Sequence, residues 1–67
     1  MKAFGKKLRE VRLDKGFTQE ELANECDFPP SQISRIETGS INTSISHIIK
    51  IAQVLKVKLK DLMDFKI

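Results

Sequence analysis

Two helix starts lying close together constrain this 67-residue chain more than anything in its overall composition. The first is Thr18 with Glu21 three residues later. In this T-x-x-E pattern hydroxyl and carboxylate each accept a backbone N–H that the first helical turn leaves without a partner. The second is Pro29–Pro30, directly ahead of "SQISRIE". A proline at the first helical position loses nothing by lacking an N–H, and its φ is already helical. Pro29 also holds Phe28 extended and so helps to end the helix before it. Only about two helical turns fit between these signals, from Gln19 to about Glu25, so the second and third helices must meet at a tight joint.

The rest of the chain is punctuated in the same way. From Ala3 to Lys15, Phe4, Leu8 and Val11 recur at helical spacing and Gly16 stops the run, with Leu13 left on the far side of the wheel. The second helix turns Leu22, Ala23 and Cys26 inward, and the third turns Ile33 and Ile36 inward before Gly39 ends it. Ser44 caps a fourth helix that runs to about Leu55. Its apolar residues Ile45, Ile48, Ile49, Ile51, Ala52, Val54 and Leu55 cover more circumference than one contact face needs, which predicts a central helix whose outer edge meets another subunit. Leu59, Leu62 and Met63 read as a short fifth helix. No strand pattern competes, so the expectation is an all-α, compact five-helix domain spanning residues 1–67.

A domain of this size buries only roughly 60% of the surface its unfolded chain would expose, too little to spare for a large substrate cavity. No nucleophile is paired with a positioned base and no Gly-rich phosphate cradle occurs, so an enzyme is not expected. One cysteine, Cys26, cannot staple the fold, lies outside any zinc-ligand spacing and reads as a small core residue; no cofactor is expected. His47 reads as a solvent-exposed helix residue. No stretch approaches the ~18 uninterrupted apolar residues of a membrane span, and no signal-peptide core follows the basic N-terminus; a cytoplasmic protein is expected. Net charge divides as +4 over residues 2–15, −4 over 17–37 and +3 over 38–67. A positive field attracts nucleic acid, but a solvated surface has the same composition.

The third helix says more. Its outer face carries Ser31, Ser34 and Arg35, with Gln32 on one shoulder. Arginine matches the O6 and N7 of guanine, glutamine the N6 and N7 of adenine, and serine either base edges or phosphates. A capped helix, a turn of a few residues and a second short helix is the helix-turn-helix layout, in which the second helix enters the major groove. Glu37 falls on the inward arc, and Arg12 on the shoulder of the first helix's stripe. They are either an ion pair tying the two helices together or two independent surface charges.

The stretch "LREVRLDKGFTQEELANECDFPPSQISRIETGSINTSISHIIKIAQVLKVKLKDL" resembles the small helix-turn-helix domains of phage Cro and CI repressors and of xenobiotic-response-element-type regulators. The similarity covers about residues 4–64 and is densest in "GFTQEELA" and "ISRIETG". It implies a lambda-repressor-like fold, a homodimer and double-stranded operator DNA. By position it implies that Gln19 holds a phosphate and braces the third helix, that Ser31 and Arg35 read bases with Gln32 and Ser34 beside them, and that Arg12 and Glu37 pair internally. It further implies that Thr38, Gly39, Ser40 and Asn42 form a phosphate-gripping loop. The sequence departs from the pattern at Asp27, in place of a turn glycine, and at Pro30, a reading position without a donor. Lys56 and Lys58 stand where a glycine and a capping serine are common, and the phosphate loop lacks Lys and Arg.

Together these readings predict a sequence-specific DNA-binding transcriptional regulator, a repressor of the Cro type, a restriction-modification controller or an antitoxin. Ser31, Gln32 and Arg35 select bases, while Gln19, Ser34, Thr38, Ser40 and Asn42 position the backbone. The alternative is an antitoxin or coactivator-like adaptor that uses the same fold to bind a protein partner. At this length no ligand-sensing module is expected, so control falls to concentration, cooperativity on DNA, proteolysis or a partner.

Overall fold

A computed structural model describes residues 2–40 and 43–63. Five helices follow in order: α1 (Lys2–Asp14), α2 (Gln19–Cys26), α3 (Pro30–Thr38), α4 (Ile45–Leu55) and α5 (Leu59–Leu62). Among the described residues there is no strand. Among the described residues the architecture is all-α with five helices, as the helical periods and caps predict.

Each joint has an identifiable cause. Thr18 Oγ1 accepts from Glu21 N at 3.0 Å and Thr18 N donates to Glu21 Oε1 at 2.9 Å, so both arms of the box close. The stop of α2 lies at Asp27 rather than at the prolines. Asp27 is left-handed (φ 63°), and Phe28 N reaches back to Ala23 O at 2.8 Å, which carries the helix one residue past Glu25. Aspartate enters this region more readily than most residues, which lets it stand where glycine is usual. Pro29 then sits extended at the N-cap of α3 and Pro30 occupies the first turn. Gly39 (φ 76°) closes α3. Ser44 Oγ caps α4 by accepting from His47 N at 3.2 Å.

Lys56 adopts the left-handed geometry that glycine would adopt freely (φ 57°), and Val57 N still closes on Ala52 O at 3.1 Å. At the start of α5 the missing serine cap is replaced from the other side. Asp61 Oδ2 accepts from Lys58 N at 3.1 Å, satisfying an orphan donor with a carboxylate that also favours the helix N-terminus. This helix is a single turn and buries only Leu62; Leu59 and Met63, which share its helical spacing, are 37% and 42% exposed.

All five helices contribute to one core: Phe4 and Leu8 from α1, Leu22, Ala23 and Cys26 from α2, Ile33 and Ile36 from α3, Ile48, Ile51, Ala52 and Leu55 from α4, and Leu62 from α5. Val11 is at its rim, and Leu13 stands 56% exposed on the opposite face of α1. Helix α3 is held between α1 and α2, and α4 closes the bundle from α2 to α5. One close approach has no counterpart in the sequence reading. Gly5, buried inside α1, is so near the end of α3 that a Cβ there would lie 2.4 Å from Ile36 O and 2.5 Å from Glu37 O.

Candidate nucleic-acid interface

Helix α3 divides into two unlike faces. Ile33 and Ile36 have no exposed surface, whereas Pro30, Ser31 and Arg35 are exposed and Gln32 and Ser34 half-buried. The split follows from their 100° spacing on a helix whose apolar residues are three apart. Among the described residues Arg35 forms no ion pair, so its guanidinium is available to an external acceptor. Thr38 and Ser40 are exposed just beyond the helix. Thr38 Oγ1 donates to Arg35 O at 3.1 Å and lies 2.8 Å from Ser40 Oγ, which links helix end and loop. Asn42, expected in the same loop, lies outside the described residues.

Behind this face is a polar cluster that sets where α3 sits. Arg12 Nε donates to Glu37 Oε2 at 2.6 Å and Arg12 Nη2 to Glu37 Oε1 at 3.1 Å, with the side chains only 7% and 3% exposed. The two parallel bonds form a fork, the strongest arrangement available to an arginine and a carboxylate. Arg12 Nη1 also donates to Phe17 O at 2.8 Å, so one guanidinium ties α1 to the turn before α2 and to the last turn of α3. Gln19 Nε2 adds a further bond to Glu37 Oε1 at 3.0 Å. Gln19 thus reaches the C-terminal end of α3 from the first position of α2.

Cys26 is 2% exposed within the core, and burial pushes its thiol pKa up, the opposite of what a nucleophile requires. His47 corrects the sequence reading. It is half-buried rather than solvated, with its ring edge-on to Phe28 at a centroid separation of 4.8 Å and its Nδ1 3.4 Å from Gln32 Nε2. Its partners come from the turn before α3 and from α3 itself, so helical periodicity carries no signal for this contact. Among the described residues no group of three or more His, Cys, Asp or Glu is placed to hold a metal, and no helix is long and apolar enough to cross a membrane.

Comparison with known proteins agrees with this geometry. The helix-turn-helix family model matches residues 8–62. The control protein C.BamHI of Bacillus amyloliquefaciens is 49% identical over 63 residues, covering 92% of this chain and 78% of that protein. Among solved structures, the restriction-modification controller protein C.AhdI from Aeromonas hydrophila is 36% identical with a TM-score of 0.88, over 91% of this chain and 92% of the other. The biofilm master regulator SinR, solved in complex with DNA, is 32% identical with a TM-score of 0.84, over 91% and 98% respectively. An α2–turn–α3 unit with an apolar inner face and a hydrogen-bonding outer face, matched through 8–62, makes this chain a member of the Cro/CI-type helix-turn-helix family of DNA-binding transcriptional regulators.

Proposed function

We propose that the chain acts as a homodimeric controller of a restriction-modification system, inserting α3 of each subunit into successive major grooves of an inverted-repeat operator. The observation that carries the DNA-reading part is the outer face of α3. Ser31 and Arg35 are exposed and Gln32 partly so, on a helix fixed from behind by the Arg12–Glu37 fork. The controller role is supported by C.BamHI and C.AhdI, both similar along most of their length. Arg35 pairs with guanine and Gln32 with adenine, Ser31 reads a neighbouring edge, and Gln19, Ser34, Thr38 and Ser40 fix the phosphates. Because Thr38 and Ser40 are neutral donors, few counterions are released at that loop and the salt slope is shallow. The action is binding rather than catalysis, and its place is the cytoplasm, where the DNA is.

Selection of bound sites from a randomised duplex pool tests this reading directly. Arg35→Ala should flatten preference at one base position by about 1 to 3 kcal/mol and leave the others intact, whereas Gln19→Ala should weaken binding to all sequences alike. An adaptor protein would show neither effect.

Dimerisation is supported by what α4 and α5 leave uncovered. Ile45 and Ile49 are 58% and 42% exposed one turn apart on α4, and Leu59 and Met63 repeat that spacing around α5. Two such faces related by a two-fold axis cover each other, and the same axis sets the half-sites about 34 to 36 Å apart. Phe65 and Ile67, apolar residues that follow Met63 in the sequence, lie outside the described residues. Ile49→Asp should convert the dimer to a monomer in sedimentation equilibrium at micromolar concentration, with operator affinity falling in step. A wild-type protein that sediments as a monomer there would remove the dimer from the proposal.

A further inference from the structure

His47 occupies a place that neither the core nor the reading face accounts for. Its backbone N–H is anchored by Ser44 Oγ at 3.2 Å, so the α4 cap sets where the ring begins. The ring stands edge-on against Phe28, the residue before the twin prolines, with an interplanar angle of 61°. From there Nδ1 faces Gln32 Nε2 at 3.4 Å across the gap to α3. Two side chains from different elements therefore hold one imidazole against the shoulder of the helix that reads bases.

We infer that His47 is a positioning residue for sequence readout, acting through Gln32. This rests on the reading of Gln32 as a base contact. A free glutamine side chain samples many rotamers, and ordering it costs entropy on binding. With Nδ1 as the acceptor, one of the two Gln32 N–H groups is committed to the imidazole. Oε1 and the second N–H remain, which are the acceptor and donor that the N6 and N7 of adenine require. Phe28 in turn keeps the imidazole from turning away, so the register of Gln32 is set by α4 and by the turn, not by α3 alone. The specificity of this protein is thereby encoded partly in a residue that touches no DNA.

The test compares complete base-preference profiles of the wild type, His47→Phe, His47→Asn, Gln32→Ala and the Gln32→Ala/His47→Phe double variant, with thermal melts to confirm folding. Phenylalanine retains a ring against Phe28 but has no acceptor; asparagine places an amide oxygen near the position of Nδ1. His47→Phe should reduce preference about threefold to tenfold, the range of one modest hydrogen bond, at the base pair read by Gln32 alone. His47→Asn should recover most of it, and His47→Phe should add nothing once Gln32 is alanine. The inference is overturned if His47→Phe keeps the wild-type profile while Arg35→Ala still flattens its own position. Equal weakening on every sequence overturns it too, because that is the signature of a structural residue. A wild-type protein with no base preference would overturn the DNA-reading proposal itself, and this inference with it.

Discussion

Replacing Arg12 with alanine should remove about 3 to 5 kcal/mol of folding stability, because it strands a carboxylate in the interior. Glu37, with its side chain 3% exposed, would keep Gln19 Nε2 at 3.0 Å as its hydrogen-bond donor and lose both guanidinium bonds. Phe17 O would lose its donor at 2.8 Å as well. At roughly 0.05 to 0.15 kcal/mol per residue, a domain of 67 residues has about 3 to 10 kcal/mol in all, so the variant should lose a third or more of its stability and melt well below the wild type. A double variant, Arg12→Met with Glu37→Leu, separates the two contributions. An ion pair in low dielectric gains little over apolar residues of similar volume, so the double variant should recover most of the loss in a urea titration. If Arg12→Ala lies within about 1 kcal/mol of the wild type, the fork behaves as a solvated surface pair and the argument fails.

The legible parts of this molecule are those whose physics is local. The capping box at Thr18, the proline at the start of α3, the glycine after it and the serine before α4 are each decided within a few residues, and each stands where the spacing puts it. The inward faces of the first three helices follow from period, whereas on α4 the apolar arc is too wide for period alone to say that Ile48, Ile51, Ala52 and Leu55 are the buried ones. On the wheel alone the fork between Arg12 and Glu37 is one of two alternatives, because a wheel gives direction but not distance; the family resemblance adds the pairing that the structure shows. At α5 period finds the helix but not its depth: Leu59, Leu62 and Met63 satisfy it, and a helix of one turn presents a single residue to the core. It also says nothing about His47, whose neighbours Phe28 and Gln32 are brought to it by the packing of α2 and α3 against α4. The exposed polar face of α3 could be listed from sequence, whereas the contact between Gln32 and His47 at its shoulder could not.

Gly5 is the sharpest instance of the same limit. Read locally, Gly5→Ala is an improvement, since alanine in a helix interior is favoured over glycine by about 1 kcal/mol. In the fold the sign reverses. The added methyl would lie 2.4 Å from Ile36 O and 2.5 Å from Glu37 O, both main-chain atoms at the end of a packed helix and unable to rotate aside. Relief requires α1 to move off α3, and α1 carries Arg12 while α3 carries Glu37. The overpacking cost should therefore fall at the upper end of its usual range, about 3 kcal/mol net, because part of the fork is lost with it. The coupling is itself measurable: Gly5→Ala and Arg12→Ala act on one seam, so together they should cost clearly less than the sum of the two. A gain of about 1 kcal/mol in the melt of Gly5→Ala would mean that the two helices do not meet where the structure has them.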